Sequence, residues 1–171
     1  DTVLGYMLAF ARRQPWMNSE MKNGRWEKIS GKSLSECTLG VIGVGNIGKA
    51  VTRRAKAFGM KVYGNDIVDI DHVFITETGI EMTGLHFLLS NSDFVSINCP
   101  FTDETKLMIG AAQYAMMRPN AYFITTARGG IHDELALAEA LRNKTIAGAG
   151  VDVWNDEPPP HDHPLMAFDN V

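Results

Sequence analysis

Cysteine is nearly absent from this chain. Cys37 and Cys99 are the only two among 171 residues, they lie in differently placed segments, and no Cys-x-x-Cys spacing occurs. A disulfide framework and a cysteine zinc site are therefore not indicated, and reduced thiols point to a cytoplasmic location. Long apolar runs are also missing: nothing approaches the length of a membrane span, and no signal-peptide pattern is visible. Blocks of basic residues are absent too. Sixteen Lys and Arg stand against 20 Asp and Glu, a net charge of -4, so neither nucleic acid nor an anionic membrane is an expected partner. What is present is an ordinary soluble composition, long enough for one well-buried core. The chain begins at Asp1 without Met and stops at Val171 in what reads as a strand entry. It is expected to be a piece of something larger.

The most informative stretch is Thr38-Leu39-Gly40-Val41-Ile42-Gly43-Val44-Gly45-Asn46-Ile47-Gly48. It reads as a buried strand running into glycines spaced Gly-x-Gly-x-x-Gly, with a helical pattern following from Lys49 to Phe58. Gly43 would allow the tight turn, Gly45 would let backbone approach a pyrophosphate, and Gly48 would let helix and strand pack closely. The helix N-terminus adds unpaired N–H groups and a positive dipole end. Glycine spacing alone also fits an ordinary turn, but the context strengthens it. Lys61 to Asn65 reads as a second strand ending at Asp66, about 20 residues on, where a carboxylate can accept from ribose hydroxyls.

The remaining pattern alternates. Residues 1–21 read as helical, capped at Asp1 or Thr2 and bent or ended by Pro15 and Trp16. Residues 67–82 are hard to assign, with Val73-Phe74-Ile75 a candidate short strand. A short helix follows with Thr83 as its cap, then a strand over 93–98, a helix over 110–117 and a strand over 121–125. An amphipathic helix over 133–142, with Leu135, Ala138 and Leu141 on one face, precedes a small-residue strand within 145–153. Alternating strands and helices predict an α/β fold of the Rossmann type, a doubly wound parallel sheet with helices on both faces. Ligands in such sheets sit at the carboxyl ends of the strands, where Asp66, Cys99-Pro100, Arg128 and Asp152 all fall.

Arg128, flanked by Gly129-Gly130, could hold a carboxylate through two parallel bonds and polarise an adjacent carbonyl; the alternative is a surface arginine closing a helix end. Asp152 suits an acceptor for an amide such as that of nicotinamide. Glu157, before a proline run, either lies in solvated loop or faces the crevice, where it would orient a histidine and favour its charged form. Of the five histidines, His161 and His163 stand in a proline-rich loop read as solvated rather than metal-binding, because no third ligand is in view. His86 and His132 read as surface.

These residues resemble the nicotinamide-binding domain of the D-isomer-specific 2-hydroxyacid dehydrogenases, the family of phosphoglycerate dehydrogenase and glyoxylate or hydroxypyruvate reductase. The resemblance spans the chain and rests on four motifs in order. They are Gly43 to Gly48 with Asp66; Asn98-Cys99-Pro100-Phe101-Thr102 with Thr105; Thr126-Ala127-Arg128-Gly129-Gly130; and Asp152 to Pro158. It implies NAD as cofactor, with Asn46 and Ile47 on the pyrophosphate through backbone. Asp152 would lie on the nicotinamide amide, and Cys99, Pro100, Thr105, Thr126 and Ala127 would belong to the cofactor site. It implies Arg128 as the substrate-binding arginine and Glu157 as the acid paired with a catalytic histidine. The reaction would be hydride transfer between nicotinamide and C2 of a small 2-oxo or 2-hydroxy acid. No metal is implied.

Thr125 departs from the asparagine common at its position, with little expected consequence because a hydroxyl keeps a polar end there. The family's histidine falls in a Thr-Pro-His segment beyond Val171, and its substrate domain flanks the nucleotide domain, so this chain alone should turn over poorly or not at all. Residues 1–22 are expected to be an interdomain or dimerisation helix, making the protein a homodimer. Two other readings resemble the same residues: an NAD-sensing corepressor of this family, and formate dehydrogenase, which Glu157 argues against.

Overall fold

The computed structural model describes residues 1–27 and 29–171. The chain opens with α1 (Thr2–Ala11) and α2 (Gln14–Lys22), and the nucleotide-binding pattern starts at β1 (Thr38–Ile42). There follow α3 (Asn46–Ala57), β2 (Lys61–Asn65), α4 (His72–Thr78), β3 (Glu81–Met82), α5 (Leu85–Asn91) and β4 (Phe94–Ile97). The second half holds α6 (Ala111–Met116), β5 (Tyr122–Thr125), α7 (Glu134–Arg142) and β6 (Gly148–Val151), then a 3-10 turn at Pro164–Ala167. Six strands form one sheet in the order β3-β2-β1-β4-β5-β6, and every pairing is parallel. This is the expected doubly wound α/β sheet.

Alternation along the strands builds two apolar layers. Leu39 and Val41 point to the side covered by Val3, Leu4 and Met7 of α1, Val51 and Ala55 of α3, and Phe74 of α4. Ile42, Val95, Ile97 and Phe123 point to the side covered by Leu88 and Leu89 of α5, Tyr114 of α6, and Leu137 and Leu141 of α7. In α3 the buried positions Gly48, Val51, Thr52 and Ala55 recur at helical spacing, while Arg54 and Lys56 complement the negative end of its dipole.

Several local expectations are corrected. The segment Val73-Phe74-Ile75 lies inside α4, not a strand. Asp71 Oδ1 accepts the Val73 N–H at 2.9 Å to start that helix, and Gly79 at φ 62° ends it. β-branched residues suggested a strand, but cap and stop stand one short helix apart. The break in the first helical stretch falls at Arg13, which takes a left-handed φ of 53°, and Pro15 occupies the first turn of α2 rather than ending a helix. Gly84, not Thr83, is the N-cap of α5. Leu135 is 66% exposed; the buried face of α7 is Leu137, Ala138 and Leu141 together with Glu134. The apolar face of α1 is buried on its own sheet, so it offers no free surface; α2 buries no residue.

Candidate functional site

The order of the sheet reverses between β1 and β4, and a crevice opens above their carboxyl ends. Two glycines make the turn out of β1 possible. Gly43 has φ 85°, and a Cβ there would stand 2.6 Å from the Cys99 amide nitrogen, so the exits of β1 and β4 touch. A Cβ on Gly48 would collide with the Gly43 carbonyl oxygen, so helix α3 rests directly on the turn. Gly45 differs from both: a Cβ there would meet nothing within 4 Å. Its face is open to the crevice. As N-cap of α3 it has no capping side chain, which leaves the first N–H groups of a 12-residue helix to an outside acceptor. This backbone fits a bound pyrophosphate.

A cleft of about 1020 Å³ lies over that turn. Its walls bring together Gly45, Asn46 and Ile47, then Cys99 and Pro100, then Thr126, Ala127 and Arg128, and finally Glu157. Segments far apart in the chain thus meet because each follows a strand of one parallel sheet. Asn98, Phe101, Gly129, Gly130, Trp154 and Asn155 complete the lining. The Arg128 guanidinium is exposed and touches protein through Nη1, which donates to the neighbouring Ala127 carbonyl at 2.6 Å. Glu157 Oε1 accepts the Trp154 N–H at 3.1 Å. Burial pushes the Cys99 thiol up, and the Asp66 carboxylate adds to the shift, so this wall of the cleft carries no ready thiolate.

Asp66 stands in a second cleft of about 850 Å³, with Val68, Asp69, Asp71 and Thr83. Its Oδ2 accepts the Val44 N–H at 2.6 Å and its Oδ1 the Val68 N–H at 3.2 Å, so the acid is pinned to the glycine turn. Thr105 stands behind the lining rather than in it. Its hydroxyl donates to the Pro100 carbonyl at 2.8 Å and accepts from the Thr102 N–H at 2.8 Å, which shapes the loop after β4. Asp152 is exposed at the end of β6, outside the lining of the large cleft. Its charge reaches Tyr6 of α1, whose phenol is raised first by burial and then by that carboxylate. Thr125 is fully buried and its hydroxyl has no hydrogen-bond partner among the described residues, so the polar end expected of it is turned inward.

Two histidine expectations are overturned. His132 is not on the surface: it is fully buried against Phe123, and burial lowers it to about 4. His163 is not solvated loop, because its Nε2 lies 3.1 Å from Glu134 Oε2. Glu134, Asn155 and Trp154 were given no role by sequence reasoning. For Glu134 the available signal is an acid in the first turn of α7 beside a better cap, since Asp133 already accepts the Ala136 N–H at 2.9 Å, and Trp154 and Asn155 lie within the Asp152 to Pro158 motif.

Known proteins resemble this chain in sequence and fold. The family model described as "D-isomer specific 2-hydroxyacid dehydrogenase, NAD binding domain" matches residues 4–171. D-3-phosphoglycerate dehydrogenase of Methanocaldococcus jannaschii is 41% identical over 174 residues, covering 100% of this chain and 33% of that protein. Glyoxylate reductase of Korarchaeum cryptofilum is 40% identical over 177 residues, covering 100% of this chain and 53% of that protein. A D-isomer specific 2-hydroxyacid dehydrogenase from Xanthobacter autotrophicus Py2, solved in complex with NADPH and MES, superposes with a TM-score of 0.91 at 33% identity. It is matched over 99% of this chain and 54% of its own. The chain thus spans about a third to a half of the proteins it matches. Among the described residues no helix is long and apolar enough to cross a membrane, and no group of acids, histidines and cysteines could hold a metal ion. With its glycine turn, parallel sheet and strand-end cleft in place, the chain belongs to the family of D-isomer specific 2-hydroxyacid dehydrogenase NAD-binding domains.

Proposed function

We propose that this domain serves a cytoplasmic NAD-dependent dehydrogenase acting on a small D-2-hydroxy acid or its 2-oxo partner. The observation that carries the reading is the single cleft that gathers the open glycine turn, Arg128 and Glu157. A bound nicotinamide would supply the hydride. The backbone of Asn46 and Ile47 at the start of α3 would hold the pyrophosphate, and Asp66 would accept from the adenosine ribose. Arg128, fixed after β5 yet free in front, would grip the substrate carboxylate through two N–H groups and polarise the carbonyl beside it. Glu157 would orient a histidine from the rest of the enzyme and favour its charged form, ready to protonate the alkoxide. Asp152 and Thr105 would act at the margins, Asp152 toward the nicotinamide amide and Thr105 by holding the loop of Cys99 and Pro100.

The protein would work as a homodimer. α2 buries none of its residues, and Met21 within it and Trp26 just after it are 52% and 78% exposed, which suits a second copy of the chain. A monomer by light scattering at micromolar concentration would refute this part.

The substrate assignment is tested with Arg128→Lys in an enzyme carrying this domain. An ammonium cannot make two parallel bonds, so kcat/KM should fall about a hundredfold or more while NAD affinity changes little. Efficiency near that of the parent would refute the clamp.

A further inference from the structure

The loop that carries Glu157 is fastened from behind by a buried acid. Glu134 is 7% exposed, and both of its oxygens are occupied. Oε1 accepts the Asn155 N–H at 2.8 Å, and Oε2 lies 3.1 Å from His163 Nε2. His163 Nδ1 accepts the Leu165 N–H at 3.2 Å, so that nitrogen carries no proton. The ring is therefore the neutral tautomer with its proton on Nε2, donated to Glu134. Asn155 then reaches the other way, where its Oδ1 accepts the Gly130 N–H at 2.6 Å. One chain of contacts runs from His163 through Glu134 and Asn155 to the turn that bears Arg128.

A buried carboxylate is costly unless its oxygens are satisfied, and none of this one's hydrogen bonds goes to its own helix. Asp133 caps α7, and both bonds of Glu134 go to the segment after β6. That segment forms no helix or strand between Val151 and Pro164, so side-chain contacts must hold it. The His163 ring packs edge-on against Trp154, with centroids 5.1 Å apart, and Gly129 lies so close to the Trp154 carbonyl that no Cβ would fit between them. The two walls of the cleft that bear Arg128 and Glu157 are thus locked to each other through Asn155 and Glu134.

We propose that Glu134 is a positioning residue. Through Asn155 it sets loop 154–157 against the Arg128–Gly130 turn, and neutral His163 holds the carboxylate in place. The consequence is specific to one end of the cofactor: the nicotinamide half of the cleft should depend on Glu134 and the adenosine half should not. This rests on the dinucleotide reading of the cleft.

The test uses the full 171-residue chain with two probes, NADH and ADP-ribose, and amide hydrogen exchange as an independent readout. In Glu134→Gln the side chain can still accept from Asn155 but loses its acceptor toward His163 Nε2–H. Exchange over residues 153–157 should rise about tenfold, the equivalent of one lost charge-assisted hydrogen bond. NADH should bind roughly 5- to 10-fold more weakly, while ADP-ribose stays within about twofold. His163→Asn should shift both readouts the same way, because its Oδ1 can still cap Leu165 but cannot reach Glu134. Unchanged exchange in both variants would overturn the proposal. So would equal weakening of NADH and ADP-ribose, the mark of general destabilisation. If the parent chain binds neither nucleotide, the dinucleotide reading has failed instead, and the exchange rates alone decide the clamp. If Glu134→Gln does not fold, Asn155→Ala on the exposed loop replaces it, with the same split between the probes expected.

Discussion

Gly45→Ala and Gly48→Ala should separate binding from folding within one turn. At Gly45 the backbone has φ -74°, which any residue adopts, and an added Cβ would meet nothing within 4 Å. Stability should stay within about 0.5 kcal/mol of the parent. The new methyl would nevertheless stand on the open face over which the proposed pyrophosphate would pass. Affinity for NADH should fall at least about tenfold, or ~1.4 kcal/mol. At Gly48 the added Cβ would strike the Gly43 carbonyl, a backbone atom, and crowd Val41 Cγ1 at 3.2 Å. Relief requires α3 to move off β1. Overpacking of about 1–3 kcal/mol outweighs the helix-propensity gain of up to ~1 kcal/mol only if the backbone resists, which the contact to Gly43 implies. A net loss of about 2 kcal/mol would lower Tm by roughly 4–8 °C for a domain of this size. Urea unfolding and calorimetric titration on both variants measure the two effects. Unchanged NADH affinity in Gly45→Ala would refute the placement of the cofactor over this turn, and Gly48→Ala at parental stability would refute the close-packing account.

Other outcomes follow from the same geometry. Asp66 shares its cleft with Asp69 and Asp71, and the lining includes no Arg or Lys, so NAD should bind at least about tenfold tighter than NADP. Asp66→Ala should narrow that gap, and equal affinities in the parent would sink the charge argument. His132 is lowered to about 4 by burial, so between pH 6.5 and 4 the unfolded chain binds a proton that the folded chain refuses. Stability should therefore fall as pH drops through that window, by about 3 kcal/mol in all, and His132→Leu should remove this part of the slope in urea titrations. In a complete enzyme, Glu157→Gln would remove the charge proposed to favour a protonated histidine. The acid-dependent limb of the reduction profile should move to lower pH, with part of the lost activity returning on acidification; an unmoved profile would leave Glu157 without that role.

Much of the fold could be read from local chemistry. The strand into Gly43-x-Gly45-x-x-Gly48, the acid at Asp66 and the alternation of apolar strands with helices are short-range signals, and each is visible where it acts. They determine a parallel doubly wound sheet because only that arrangement buries strands apolar on both faces. The same signals put Asp66, Cys99-Pro100, Arg128 and Asp152 at strand ends, yet of these only Cys99, Pro100 and Arg128 line the large cleft; Asp66 lies in the second cleft and Asp152 outside the large one. Where a weak local preference competed with a cap or a neighbour, the reading failed. Val73 to Ile75 favoured a strand until Asp71 and Gly79 closed a helix around them, and Leu135 looked buried until Leu137 and Glu134 took the inner face of α7.

Tertiary structure alone decided the fate of the polar groups. Nothing in the neighbourhood of His132 or His163 says that one is sealed behind Phe123 and the other is tied to Glu134. Their partners lie on other elements, and a side chain's solvation is set by what packs across it rather than by its chain neighbours. The α1 helix makes the same point: its apolar face is legible, but only the assembled fold sets Val3, Leu4 and Met7 against α3 and β5. Periodicity reports that a face must be buried; only the assembled sheet determines against what.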